Sequence, residues 1–169
     1  DAATLYLYDV IDPYFGVSAM SFAAALMPLR DAERITLRIN SPGGDVFEGR
    51  TIASLLSDFA DRLTVQVDGL AASAATTVAL AGGKLRMAPG SMFMIHNAWT
   101  YCVGNKNDLL ARASLLDKVD TELVNEYAAK SGQTVEAVTA WMNAETWMNA
   151  EETVANGFAD SVGSADEEQ

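Results

Sequence analysis

The sequence predicts one α/β domain in which strands and helices alternate over about the first hundred residues and helices dominate afterwards. The chain has 169 residues, enough for one compact core but not for two of ordinary size. Half of the residues are hydrophobic and 20% are charged, which is the composition of a folded globular protein. Short β-rich stretches recur between helical stretches, and this order favours right-handed βαβ crossovers.

Local patterns indicate each element of the first half. Residues 4–11 are rich in β-branched and aromatic side chains, and residues 35–39 alternate apolar with polar side chains, both of which are typical of strands. Ser18 is a suitable cap for a helix that Pro28 brings to an end near residue 29. The other elements expected here are a helix over 46–60, a strand over 63–67, a turn over 69–73 and an Ala-rich helix ending near 81.

Helical patterns dominate the second half. A long amphipathic helix is predicted over about residues 107–130, and Ser131-Gly132 ends it. No linker divides the chain, so we expect a single domain over residues 1–169, with a frayed acidic end at 163–169. The other elements expected here are strands at 84–88 and 92–95, a helix beginning at Thr134, a short helix at 150–155 and a strand near 158–162.

The charge of the chain is acidic and unevenly distributed. Eleven Lys and Arg stand against 23 Asp and Glu, a net charge of −12, and residues 117–169 hold 12 of these acids but only two of the bases. An acidic surface repels phosphate backbones and anionic lipid heads, and the longest apolar stretch, residues 18–29, is too short to span a bilayer. We therefore expect neither nucleic acid nor membrane as a partner, and we expect the excess acid on solvent-facing surfaces.

The chain contains one cysteine, Cys102, and one histidine, His96. A single cysteine cannot form an internal disulfide, which fits a reducing, cytoplasmic compartment. One His and one Cys cannot supply a zinc site of the usual kinds, and the carboxylates show no EF-hand spacing. An all-carboxylate Mg²⁺ or Ca²⁺ site stays open, but we expect no metal and no cofactor. Any chemistry that needs an imidazole must use His96.

A few residues could carry chemistry. Ser73 follows a run of Gly and Ala at a predicted turn, so a substrate backbone could approach its hydroxyl, although a lone serine there also fits a helix cap. The glycines at 43–44 could present N–H groups to an oxyanion or form an ordinary turn. His96 ends an apolar strand and could activate Ser73 or be structural. Glu145 fits either an orienter of the imidazole or the start of the next turn.

Four motifs follow one another along the chain: residues 38–46 (Arg-Ile-Asn-Ser-Pro-Gly-Gly-Asp-Val), 69–75 (Gly-Leu-Ala-Ala-Ser-Ala-Ala), 94–97 (Met-Ile-His-Asn) and the closing segment 150–161. Their order and spacing resemble the Clp protease proteolytic subunit (ClpP) family over nearly the whole chain. The variants at 68–73 and 145–147 look most like its phage and prophage branch, the ClpP-related head maturation proteases. The resemblance implies the ClpP/crotonase-like fold, with repeated ββα units and a protruding helical handle over about 97–130 that joins two rings.

The resemblance also implies a serine endopeptidase that cleaves extended peptide segments inside an oligomeric ring chamber. By position, Ser73 is the nucleophile, His96 is the general base, and Glu145 stands where the family usually has the aspartate of its triad. The backbone N–H groups of Gly44 and Ala74 would form the oxyanion hole. The residues expected to bind the peptide, as flanking strands, are Gly43, Asp45, Val46, Asn97, Ala98 and Trp99.

The implied partners are a peptide or unfolded protein substrate and further copies of the chain in stacked, heptameric rings. Little chain precedes the first strand to form the axial loops that meet an AAA+ unfoldase, so we expect no dependence on a Clp ATPase. Two other hypotheses stay open: a crotonase-type acyl-CoA enzyme, and a non-catalytic ClpP-like ring subunit. The expected location is the cytoplasm, that of the host if the gene belongs to a phage.

Overall fold

A computed structural model describes residues 1–164. Most of the acidic end expected at 163–169 lies outside these residues. The chain divides into two compact units, one formed by Asp1–Met94 together with the residues from Trp147 onward, the other by Ile95–Thr146. The expectation of a single domain stays a prediction. Within the described residues, no helix is long and apolar enough to cross a bilayer.

Seven strands form one mostly parallel sheet. The strands are β1 (Ala2–Leu7), β2 (Arg34–Ser41), β3 (Leu63–Ala72), β4 (Lys84–Met87), β5 (Met92–Ile95), β6 (Thr146–Asn149) and β7 (Ser161–Val162). The main path has the order β1-β2-β3-β4-β7, and β5 pairs with both β3 and β6. In β2 the apolar side chains alternate along the chain, and those of Ile35, Leu37 and Ile39 are fully or almost fully buried. The sheet therefore supplies much of the core of the first unit.

Six helices accompany the strands. They are α1 (Ala19–Leu26), α2 (Val46–Ser57), α3 (Ala74–Ala79), α4 (Lys106–Ser131), α5 (Val135–Asn143) and α6 (Ala150–Ala155), with short 3₁₀ turns at Met27–Leu29 and Ala60–Arg62. Ser18 caps α1 through a capping box with Ser21, as its position predicts. Asp45 caps α2 by accepting hydrogen bonds from the first N–H groups of that helix.

Strand β3 is twice as long as its local sequence predicts. We expected a strand over residues 63–67 and a turn over 69–73, but the strand continues to Ala72. Its first half pairs with β4 (Thr64–Val67 with Lys84–Met87), and its last three residues pair with β5. The Gly and Ala residues at the end of β3 have weak strand propensity, so pairing with β5 sets their conformation. This extension carries the chain directly to Ser73.

Four further differences separate the structure from the predicted elements. The first strand ends at Leu7 rather than at residue 11, because Ile11 leaves it to form isolated bridges with Val17 and Gly44. The last strand is limited to Ser161–Val162, and helix α2 ends three residues earlier than predicted. Strand β6 was not predicted at all. It has four residues, too few for an alternating pattern to be recognised, and its pairing with β5 defines it.

The second unit consists of a loop and two helices. Asn105 caps α4 through a capping box with Asp108, and Gly132, at a φ of 72°, ends the helix where the sequence predicts. The C-terminal half of α4 buries Leu123, Val124 and Tyr127, whereas its N-terminal half leaves apolar side chains exposed. Helix α5 packs against α4 and buries Val138 and Met142.

Candidate active site

Ser73 lies at the sharp turn from β3 into α3. Its φ of 55° and ψ of −127° are uncommon for any residue other than glycine. The Ser73 N–H donates to the Met94 carbonyl at 2.9 Å, and the Ser73 carbonyl accepts from the Thr76 N–H at 2.9 Å and from the Thr76 hydroxyl at 2.6 Å. The side chain of Ser73 does not cap α3, contrary to the helix-cap interpretation. A strained strand-to-helix turn of this kind presents the nucleophile in many hydrolases.

The Gly43–Gly44 turn is held by the backbone of Ile11. The Ile11 N–H donates to the Gly43 carbonyl at 2.8 Å, and the Asp45 N–H donates to the Ile11 carbonyl at 2.8 Å. Gly43 and Gly44 have φ values of 87° and 145°, which glycine adopts without strain. The N–H of Gly44 takes no part in the bridge with Ile11, so this bridge leaves it to face another group.

This turn passes directly against the start of α3. A Cβ atom at Gly43 would lie 2.8 Å from the Ala74 nitrogen and 2.9 Å from Ser73 Cβ, and it would collide with the Ala72 carbonyl oxygen. Only glycine therefore permits this approach. Ala74 is the first residue of α3, where a backbone N–H has no partner within the helix. Within the first unit, the structure thus brings Gly43, Ser73 and Ala74 together, with Gly44 next in the chain.

His96 and Glu145 are brought together in the second unit. His96 Nδ1 lies 3.6 Å from Glu145 Oε1, a separation that suits an ion pair but is too long for a hydrogen bond. The His96 side chain is 16% exposed, whereas that of Glu145 is 59% exposed. Glu145 has a φ of 50°, another uncommon value for a residue other than glycine. Because Nδ1 faces the carboxylate, Nε2 lies on the other side of the ring, as in a base oriented by a carboxylate.

The segment after His96 is attached to both helices of the second unit. Asn97 Nδ2 donates to Asn143 Oδ1 at 2.8 Å, and the Ala98 N–H donates to Asp120 Oδ1 at 2.7 Å. Trp99, further along, is 65% exposed. The Ala98 N–H is therefore already bonded within the chain.

Two of the expected peptide-binding residues do not have the predicted backbone. Asp45 and Val46 were expected to lie in a strand that flanks the peptide, but Asp45 caps α2 and Val46 is its first residue. The reason is that the Asp45 carboxylate accepts from the N–H groups of Phe47 and Glu48 at 2.8 and 2.9 Å, so the helix begins directly after the glycine turn. Asn97, Ala98 and Trp99 also lie outside the strands. The flanking strands predicted at these positions are therefore absent from the described residues.

Asp120 belongs to this region, and sequence reasoning missed it. Burial raises the pKa of the Asp120 carboxyl above its usual value and is the largest effect. The hydrogen bond from the Ala98 N–H and the charge of His96 lower this pKa, whereas the charge of the neighbouring Asp117 raises it. One signal was present in the sequence. Asp120 lies at helical spacing between Leu116 and Leu123, so it is an acid on the inward stripe of an amphipathic helix.

No residues suited to a metal are assembled here or elsewhere in the described chain. Within residues 1–164, no group of three or more His, Cys, Asp or Glu side chains could hold a metal ion. The chemical groups that these two sets of residues offer are a hydroxyl, an imidazole, carboxylates and backbone N–H groups.

Comparison with known proteins agrees with the fold and with the motifs. A family model described as Clp protease matches residues 6–166. An ATP-dependent Clp protease proteolytic subunit from Streptococcus gordonii is 36% identical over 132 residues, covering 76% of this chain and 67% of the relative. A protein of the same name from Leuconostoc citreum is 33% identical over 150 residues, covering 86% and 74%.

A solved structure supports the fold independently. A point mutant of ClpP1 from Listeria monocytogenes matches with a TM-score of 0.84 at 22% identity, covering 97% of this chain and 92% of the other. The predicted α/β class and ClpP fold are thereby confirmed, as is the resemblance to the ClpP family. The chain belongs to the Clp protease family and is a serine-type peptidase.

Proposed function

We propose that this peptidase cleaves extended peptide segments, with Ser73 as the nucleophile, His96 as the general base and Glu145 as the residue that orients the imidazole. The observation that carries the proposal is the strained backbone of Ser73, held at the end of β3 with the Gly43 turn against it. The approach of His96 Nδ1 to Glu145 Oε1, at 3.6 Å, supports the role of the two remaining residues.

The reaction would proceed by acyl transfer. Ser73 Oγ attacks the carbonyl carbon of the scissile peptide bond while its proton moves to His96 Nε2. The carbonyl oxygen becomes an oxyanion, and the N–H groups of Gly44 and Ala74 donate hydrogen bonds to it. The imidazolium then gives its proton to the leaving amine, and water, deprotonated by His96, hydrolyses the acyl-enzyme and restores Ser73.

The oxyanion hole depends on the glycine turn. Each donor of such a hole contributes a factor of about 10²–10³ to the rate, provided that it is fixed before the reaction. The bridge between Ile11 and the turn fixes Gly44, and the first position of α3 fixes Ala74. A backbone donor needs no side-chain ordering, so the turn is preorganised.

Peptide binding would use the groups that are not already engaged. The Asp45 carboxylate caps α2, and the Ala98 N–H is bonded to Asp120, so both residues serve the peptide only indirectly. We propose that half-buried Val46 and exposed Trp99 contact the side chains of the peptide and that Asn97 lies beside it. The Gly43 carbonyl accepts from Ile11 and its N–H donates to Ser41, so Gly43 would serve the peptide only through the shape of its turn.

Assembly into stacked rings of copies of this chain is the second part of the proposal. The N-terminal half of α4 exposes Leu109, Leu110 and Leu115, apolar surface suited to contact between copies. Four finer points of the proposal rest on the sequence resemblance and on the lone cysteine. They are seven subunits per ring, a head maturation role of the phage type, independence from an AAA+ unfoldase and a cytoplasmic location. Membership of the Clp protease family disfavours the crotonase-type acyl-CoA enzyme.

Labelling with a fluorophosphonate probe tests the nucleophile. The wild-type chain should be labelled and should cleave a peptide, whereas Ser73→Ala should lose both properties, with a fall in kcat/KM of about 10³-fold or more. Ser54→Ala, which removes an exposed hydroxyl from α2, is the matched control and should behave as the wild type. An assembled wild-type protein that is never labelled would favour the non-catalytic ring subunit.

Substitution of Glu145 tests the third residue. Glu145→Gln keeps the size of the side chain and removes its charge, so the imidazolium would lose a stabilising partner. We expect kcat/KM to fall by at least about tenfold, measured at a pH where the imidazole is neutral. A smaller loss would show that Glu145 does not orient His96.

A further inference from the structure

Asp120 is hydrogen-bonded to the backbone segment that follows His96. It lies on α4, and its Oδ1 accepts a hydrogen bond of 2.7 Å from the N–H of Ala98, two residues after the imidazole. The intervening Asn97 is bonded through its side chain to Asn143 at the end of α5. The two residues that follow His96 are thus each tied to a different helix, so the direction of the His96 side chain depends on both.

The charge of Asp120 also acts on His96. The ionised carboxylate and the imidazolium attract each other, and burial weakens the screening of this attraction by solvent. Glu145 is 59% exposed, so solvent screens its attraction for the imidazolium. In the second unit, Glu145 from the turn after α5 lies 3.6 Å from His96 Nδ1, and Asp120 from α4 interacts with the charge of His96, while Asp117 of the same helix acts on Asp120.

A carboxylate at this position is costly if it serves only to hold the loop. A neutral Asn side chain could accept the same hydrogen bond from the Ala98 N–H without the desolvation of a charge. The half-buried position of Asp120 makes that desolvation significant. A benefit of the negative charge itself would explain why the chain has an acid here.

We infer that Asp120 is a positioning residue for His96, whose carboxylate fixes the segment after the imidazole and whose charge favours the imidazolium that forms when Ser73 loses its proton. This inference rests on the proposed function, since it assigns His96 the role of general base. Asp120 acts through His96 and through the backbone of Ala98, and it takes no proton itself.

The pH dependence of peptide cleavage separates charge from structure. Asp120→Asn keeps an acceptor for Ala98 but removes the charge, so the imidazolium is less favoured and the acidic limb of the kcat/KM profile should move to lower pH. At neutral pH, kcat/KM should fall by about tenfold, as is typical when a group that orients a functional side chain is lost. Asp120→Ala, which also removes the acceptor, should lose more activity and some thermal stability.

The matched control is Asp117→Asn, which removes the same charge from the same helix, one turn away, without a bond to Ala98. Asp117 raises the pKa of Asp120, so its removal leaves Asp120 ionised at neutral pH, and the rate there should be as in the wild type. Because the folded-state pKa of Asp120 is raised by burial, its ionisation opposes folding as pH rises, so Asp120→Asn should melt no lower than the wild type at neutral pH. An active-site loss without a stability loss is a result that a merely structural residue would not give.

The single histidine provides a readout that does not need activity. The ring signals of His96 can be followed by NMR in the Ser73→Ala background, and Asp120→Asn should shift them more than Asp117→Asn does. If Asp120→Asn and Asp117→Asn both match the wild type in rate, profile and ring signals, the inference is wrong while the proposed function stands. If Ser73→Ala retains cleavage, the proposed function fails, and the NMR signals still report whether Asp120 acts on His96.

Discussion

Ser73 is held in a conformation that its own side chain disfavours. A φ of 55° places Cβ in a crowded position, at a cost of about 1–3 kcal/mol for a residue other than glycine. The conformation persists because the backbone on both sides is bonded, to Met94 of β5 and to Thr76 of α3. The strain therefore orients the hydroxyl at the expense of stability.

This strain can be measured by comparing two inactive variants. Ser73→Gly and Ser73→Ala both remove the hydroxyl, but only glycine adopts the observed φ without crowding. We expect Ser73→Gly to be the more stable by about 1 kcal/mol in urea unfolding, after allowance for the greater freedom of glycine in the unfolded chain. Equal stability, or a more stable alanine variant, would show that the turn is not strained.

At the scale of elements, the Gly43–Gly44 turn of the candidate site leaves no room for a side chain. Gly43 combines a positive φ with a close approach to Ser73 and Ala74. Gly90 has a similar φ, 81° against 87°, but a Cβ there would meet no atom within 4 Å. The two glycines therefore differ in their surroundings and hardly in their backbone conformation.

Alanine at each of these glycines separates the two effects. Gly90→Ala should lose about 1 kcal/mol of folding free energy from the unfavourable φ alone, with unchanged peptidase activity. Gly43→Ala must also displace the turn or the start of α3, so it should lose about 2 kcal/mol or more and most of its activity. Thermal melting and peptide cleavage of the two variants make the comparison, and equal behaviour would contradict the role assigned to the turn.

The elements also show what the sequence could and could not predict. Helices α4 and α6 and strand β5 match their predicted positions closely because caps, glycine stops and apolar runs are local signals. The extension of β3 and the existence of β6 depend on pairing with β5, which no local pattern reveals. Among the candidate site residues, the motifs indicated Ser73 and His96, whereas Asp120 bonds to a loop that only the fold brings to α4.

For the whole molecule, the acidic excess determines how copies can come together. Among residues 1–164, none of the Asp or Glu residues is fully buried, so the charge of the described chain lies at or near its surface. The expectation that this acid avoids the contacts between subunits stays a prediction. Each added subunit brings a further −12 to the assembly, and this repulsion opposes the apolar contacts that would join copies.

Salt should therefore favour assembly. Raising ionic strength from about 0.05 M to about 0.5 M shortens the Debye length several-fold and screens the repulsion between copies, so the mass from light scattering should increase or persist to lower protein concentration. A Glu122→Gln variant, which neutralises one exposed acid of α4, should need less salt. A mass that falls as salt is added would mean that ion pairs between copies hold the rings together, and it would contradict this account.

Within residues 1–164, Ser73 and Glu145 are the only residues other than glycine with a positive φ. A residue other than glycine at such a φ lowers folding stability. A chain retained only for its fold would gain stability if glycine or asparagine replaced these residues. Most random substitutions cost stability, so a change that increases it would be readily accepted once activity no longer mattered. Selection for the proposed reaction would maintain a serine and a glutamate at these two positions, and their presence disfavours descent into an inert scaffold.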